Sequence, residues 1–254
     1  MEFLYLFLLT FLPYFVFSVG GFFLCHKLIK NKIKDRFIFS NKTKKKQLMF
    51  EFKNSMSSLV IGFLGFYVLY LLNQSDLTFS YSGVDKYGYV YFVLSFFIVQ
   101  FCHEVYFYFT HKLMHTKALF KYHAIHHKSI KPTPLASYSF HPVEASVHAL
   151  FFVLAGVLLP VHELMVPLFY VFSHYINMWG HMGVEFWIDN IDDRKVWKEL
   201  NTPTHHFQHH LNPDSNFSIY YNTLDRIYGT NNPNYNDFYN GIKSKVKSKI
   251  FGVF

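Results

Sequence analysis

Charge is scarce in this sequence. Only 16% of its 254 residues are Asp, Glu, Lys or Arg, against about 25% in average soluble proteins. Cysteine is scarcer still. Cys25 and Cys102 are the only two, and both sit inside apolar runs, which excludes a disulfide framework and a set of Fe–S ligands. There is no H-P-G-G-type haem motif, no glycine-rich dinucleotide fingerprint and no repeat of solenoid length. The chain therefore carries no electron-transfer module that its sequence reveals. What it has instead is apolar: 51% hydrophobic and 21% aromatic residues, with 32 Phe and 19 Tyr. Long apolar runs point to a membrane protein. The net charge of +8 would suit nucleic acid, but the basic residues lie between apolar runs, where membrane topology accounts for them better.

Residues 1–25 are almost wholly apolar and long enough to span a bilayer. A signal peptide would want a basic start and a small-residue cleavage site. This run starts Met-Glu-Phe and ends Gly20-Gly21-Phe-Phe-Leu-Cys25, so a retained anchor is expected. Further spans are expected over about 56–72, 89–110, 143–159 and 164–180. The last two are short and are expected either to cross or to form a hairpin that crosses only partly. Of the 24 basic residues, ten fall in 26–55, five in 111–142 and eight in 181–254. Only Lys86 is left for the other side. Five spans with the N-terminus outside put all three basic segments in the cytoplasm, since positive charge marks that face.

Histidine is clustered. His111 and His115 stand four apart, and His123-Ala-Ile-His126-His127 follows at once. His206-Phe-Gln-His209-His210 repeats the trio. Residues three and four apart share a helix face, so each box is expected to aim its imidazoles at one spot. With His at 16 of 254 positions, a random H-x-x-H-H arises roughly 0.06 times per chain, so two copies beside an H-x-x-x-H are not a chance pattern. Eight imidazoles exceed the needs of one ion, and imidazole suits Zn, Cu, Fe and Ni. Two ions of one of these are implied. All the boxes fall on the face that charge assigns to the cytoplasm, although the two readings are independent.

Several ordered elements carry a resemblance to the fatty acid hydroxylase/sterol desaturase superfamily. Glu104-Val-Tyr-Phe-Tyr-Phe-Thr-His111-Lys-Leu-Met-His115 resembles its lead into the first box, and His123-Ala-Ile-His126-His127 its second box. His141-Pro-Val-Glu144 resembles its H-P-x-E, and Trp179-Gly-His181-Met-Gly-Val-Glu185 its G-H-x-G-x-E. Thr202-Pro-Thr-His-His206-Phe-Gln-His209-His210 is similar to its last box. Asn216-Phe-Ser and Leu224-Asp225-Arg226-Ile-Tyr-Gly229-Thr230 resemble its closing N-Y-G and W-D-R-L-F-G-T elements. The likeness covers roughly residues 95–230. Lys112 stands where Arg is usual, Phe217 and Ser218 replace Tyr and Gly, and Leu224 replaces Trp.

The resemblance implies an all-α integral membrane bundle under a cytoplasmic histidine-rich helical cap, with the whole chain 1–254 as a single oxygenase domain. It also implies a histidine-bound di-iron centre that oxidises a C–H bond of a lipid, such as a sterol, a fatty acyl chain or an alkylglycerol. Zn is a possible substitute ion. Hydroxylation is preferred to desaturation, although the boxes are common to both. The electrons must come from a separate cytochrome, ferredoxin or reductase, and the basic face suits an acidic donor. A rival from another class is a membrane metal transporter or metal-binding protein. Transporters tend to place ionisable residues midway through several spans, whereas these histidines sit at or beyond the span ends.

The expected ligands are His111, His115, His123, His126, His127, His206, His209 and His210, with His181 added on its G-H-x-G-x-E context. His174 lies seven residues before His181, on the same helical face, and is a candidate tenth. Ligating histidines usually give their second nitrogen to a carboxylate or carbonyl. Glu104 shares a face with His111 but lies about 10 Å below it, so Tyr108 would have to relay; a structural hydrogen bond to His103 or another helix is the alternative. His141 and Glu144 are further candidates, though an acid two residues after Pro142 also suits a helix N-terminus. His26, His162 and His205 are excluded by position. No nucleic-acid partner is expected.

Overall fold

The computed structural model describes residues 2–39, 43–186 and 199–250. The described residues are helical, with isolated bridges and no strand. Three helices are long and apolar enough to cross a membrane: α1 (Glu2–Leu28), α2 (Lys45–Gln74) and α3 (Gly88–Met114). Only 28%, 22% and 28% of their apolar windows are buried in the chain itself, so most of that surface is left to meet lipid tails. The second span starts earlier than its apolar run because nothing between Lys45 and Ser55 breaks a helix. α1 contains Pro13, and the turns after it widen to π-helix at Tyr14–Val19 and again at Leu24–Leu28. Proline removes a ladder donor and crowds the preceding turn, which a π-bulge relieves.

Past α3 come α4 (Phe120–His127), α5 (Pro142–Leu158), α6 (Met165–Gly180), α7 (Pro203–Leu211), α8 (Thr223–Ile227) and α9 (Tyr235–Ile250). The short α4 carries the second box, and α7 carries the last. Pro142 and Pro203 open their helices behind capping residues. His141 Nδ1 accepts from the Val143 N–H, and Thr202 forms a capping box with His205.

α5 and α6 are joined by a short turn at the end of the bundle remote from the boxes. The Phe79 N–H donates to the Val157 carbonyl (3.1 Å), the Tyr81 N–H to Val161 (3.1 Å) and the Glu163 N–H to Tyr81 (2.9 Å). The turn therefore pairs with the loop joining α2 to α3. Each arm, at 17 and 16 residues, is about 25 Å long, close to the hydrocarbon thickness. Small residues let α5 approach α2. Added Cβ atoms would lie 3.2 Å from Ala149 at Gly65 and 2.6 Å from Leu69 at Gly156, the close backbone approach expected of helices packed in lipid. The core beneath the boxes is aromatic, built on Phe66, Phe151, Phe152, Phe169 and Tyr170.

Candidate metal centre

Four helices converge over this core. α3 brings His111, and His115 follows at its C-cap; α4 brings His123, His126 and His127; α7 brings His206, His209 and His210. His181 is the C-cap of α6. The nine rings form two groups. One ligand atom from each of His111, His115, His123, His127 and His209 lies within 4.8 Å of the others, and the same holds for His126, His181, His206 and His210. The groups abut: the His127 and His210 ring centroids are 4.9 Å apart.

The boxes do not each aim at one spot, as their spacing led one to expect. Each i, i+4 pair stays together, whereas the i+3 histidine crosses to the other group. His126 leaves His123 and His127, and His209 leaves His206 and His210. The reason is the helical period. At 3.6 residues per turn, i+4 lies about 40° to one side of i and i+3 about 60° to the other. A trio thus fans over about 100°, enough to face two centres.

The hydrogen bonds set the ring tautomers. His111 Nδ1–H donates to the Phe217 carbonyl (2.8 Å), His209 Nδ1–H to Ser215 (2.7 Å) and His181 Nδ1–H to Asn177 (2.7 Å). His123 Nδ1–H donates to Glu144 Oε1 (2.6 Å). A carbonyl only accepts, so in the neutral His111, His181 and His209 rings Nε2 is left as a bare lone pair. Two of these nitrogens face another imidazole: His111 Nε2 stands 3.1 Å from His123 Nε2, and His181 Nε2 3.0 Å from His206 Nε2. Burial holds His126, His206, His209 and His210 well below the usual imidazole range, and the neighbouring rings push the same way. Protonation is thus a costly way to occupy the clustered ring nitrogens, and a shared cation is a cheaper one. Two nitrogens about 2.1 Å from one ion, at roughly right to tetrahedral angles, stand about 3.0–3.4 Å apart. The spacings fit metal ions.

Of the expected supporting residues, Glu144 reaches a ring directly and is fully buried. The others do not. His141 is spent on capping α5. The relay from Glu104 through Tyr108 is not formed. Tyr108 pairs its hydroxyl with Thr230 (2.9 Å), and Glu104 accepts the backbone N–H groups of Tyr220 (2.9 Å) and Tyr221 (3.4 Å). These belong to an irregular segment lodged against the middle of α3, where Tyr220 also pairs with His103 (2.7 Å). Backbone donors at that depth need a partner, and Glu104 supplies it. His174 joins neither group; its ring lies flat on Tyr138 at 3.9 Å, two turns short of the site. His26 bonds to the Met182 carbonyl, His205 serves the α7 cap, and His162 sits at the far turn.

The Phe217, Ser215 and Asn177 carbonyls were not foreseen, because a carbonyl has no residue signature. Asp225 was visible only as part of a motif. It is fully buried and accepts the N–H groups of Phe217 (2.8 Å) and Ser218 (3.0 Å), which fixes the carbonyl that orients His111. Asn216, just before it, has φ of 58°, a conformation asparagine tolerates better than most. Its amide spans the His205 carbonyl and the Asn232 N–H. Gly183 has φ of 68°, and a Cβ there would meet the Phe39 ring at 2.9 Å.

Beside the four-histidine group lies a cavity of about 230 Å³ between α3, α6 and the 218–221 segment. Its walls are largely aromatic, with Phe107, Phe172, Trp179, Tyr220 and Tyr221, and His206 is the one member of the nine that lines it. A mostly apolar cavity with a few polar groups suits a lipid-like ligand.

Residues 96–230 match the family described as fatty acid hydroxylase. A Delta(7)-sterol 5(6)-desaturase of Gibberella zeae is 28% identical over 157 residues, 59% of this chain and 45% of its own length. A second, from Aspergillus fumigatus, is 30% identical over 203 residues, 72% of this chain and 62% of its own length. The lathosterol oxidase of Rattus norvegicus is 28% identical over 233 residues, 89% of this chain and 70% of its length. The matches thus span about half to two thirds of these relatives. No solved structure is significantly similar to the chain.

Proposed function

The chain belongs to the fatty acid hydroxylase family, and from that premise we propose that it is an O2-dependent membrane oxidoreductase acting on a lipid. The two abutting histidine groups beside an aromatic cavity carry this reading. The nine histidines are the ligands of a pair of iron ions, and the whole chain acts as one unit. When bound, such a pair supplies the reductive activation of O2 and the removal of hydrogen from an unactivated C–H bond. The protein's own part is orientation. Three backbone carbonyls and Glu144 hold four of the rings in the tautomer that presents Nε2. The aromatic walls hold an apolar substrate beside His206 and keep water away.

The motifs alone favoured hydroxylation. The similar proteins, by their names, desaturate or oxidise sterols, which moves the preference to desaturation of a sterol-like lipid. Desaturation takes two hydrogens from the lipid, one O2, two electrons and two protons, and yields a double bond and two waters. The iron-loaded chain, given a Δ7-sterol, O2 and a reduced electron carrier, is expected to form a product two mass units lighter. A product 16 units heavier would restore hydroxylation. No O2 uptake by a chain holding two irons would overturn the reading and favour a metal-binding role.

The boxes lie on the cytoplasmic face, as the distribution of basic residues argues. In a chain without native cysteines, Gly83→Cys and Lys117→Cys are expected to react with a membrane-impermeant maleimide from opposite sides. Gly83 has open space around it and Lys117 is exposed. Labelling of both from one side would refute the topology.

A further inference from the structure

We infer that the two ion positions are not equivalent: the four-histidine group is the lipid side of the site, and the five-histidine group is where electrons enter. The inference rests on the oxygenase reading and adds a division of labour to it.

Exposure separates the groups. Each has one ring that is only partly buried, His206 in the four-histidine group and His115 in the five-histidine group. They open in different directions. His206 lines the aromatic cavity, together with Gly180, whose added Cβ would lie 3.5 Å from the His206 ring. His115 lies beyond the end of α3 and packs against Phe120. The surface around it is basic. Lys117 and Lys121 are exposed, and Lys112 sits over the rings of Tyr108 and Tyr228. From residue 111 to 142 there are five lysines and no acidic residue.

Donor number points the same way. Four imidazoles leave a position free for a further ligand more readily than five do, and the four-histidine group is the one beside the lipid cavity. Each turnover needs two electrons that this chain does not store. A reduced one-electron carrier with an acidic surface would meet the lysines by charge complementarity and deliver at the His115 edge. From there to the lipid side the two groups are in ring contact, through His127 with His210 at 4.9 Å and His123 with His126 at 5.4 Å.

The test uses the full iron-loaded chain in detergent, with metal content measured for every variant. Lys117→Glu with Lys121→Glu is expected to slow reduction by a reduced ferredoxin about tenfold or more at low salt, converging with wild type at high salt. Binding of a Δ7-sterol should not change. Gly180→Leu, which fills the wall beside His206, is expected to weaken sterol binding at least about tenfold and leave reduction by ferredoxin at the wild-type rate. In the cobalt-loaded chain the sterol should shift the visible bands of one ion of the two, and Gly180→Leu should remove that shift.

Wild-type reduction kinetics in the lysine variant would overturn the inference. So would slowed reduction in Gly180→Leu, or a sterol effect on both cobalt ions or on neither. A chain that never takes up two ions would sink the oxygenase reading as well. One that takes up two irons and oxidises sterol, yet fails to separate these effects, would sink this inference alone.

Discussion

His126→Ala is expected to abolish lipid oxidation and to halve the metal content, from two ions per chain to one. His126 is the α4 histidine that crosses to the four-histidine group, where its Nε2 stands 3.2 Å from that of His181. Its loss leaves three imidazoles in a group of four, on the side that faces the cavity. The activity loss should exceed the roughly 10–100-fold typical of removing a residue that merely supports a ligand. His127→Ala, one residue on, should deplete the other position, because His127 belongs to the five-histidine group. Adjacent residues would then act on different ions. Metal analysis of the purified, membrane-inserted variants decides it. Two irons and retained turnover in His126→Ala would count against both the ligand assignment and the proposed function.

Glu144→Ala is expected to weaken metal retention and activity about 10–100-fold while leaving all nine histidines in place. Glu144 is a carboxylate hydrogen-bonded to a histidine of the five-histidine group, at 2.6 Å from His123 Nδ1. Removing it leaves that N–H buried and unpaired, at a cost of about 1–3 kcal/mol. It also frees the ring to turn. Glu144→Gln keeps an acceptor of the same shape without the charge, so it should fall between wild type and alanine. The measurement is the chelator concentration that strips half the metal, compared across the three proteins. Resistance equal to wild type in Glu144→Ala would mean that His123 needs no orienting partner.

Glu104 and Glu144 show how far the sequence could be read. Both are acids within an apolar stretch at helical spacing from histidines, and both looked able to support a ligand. Glu144 does so because its helix starts beside α4. Glu104 instead holds the N–H groups of Tyr220 and Tyr221, more than a hundred residues away in the chain. Helical spacing says which residues share a face; it says nothing about what will be packed against that face. His174 stands apart from both histidine groups for the same reason. It shares a face with His181, but Tyr138 lies flat against its ring.

The sequence by itself determined the helical class, the apolar runs and the inventory of nine histidines, because each depends on local composition or on a period of 3.6 residues. The histidine spacing even contained the split between two groups, since a trio at i, i+3 and i+4 must fan out. Only the tertiary structure decided which trio members meet, which carbonyls lock their tautomers, and where the cavity opens. Those are properties of backbone atoms and of contacts between distant segments. Ser215, Phe217 and Asn177 take their roles from where their carbonyls lie, and no side chain announces that.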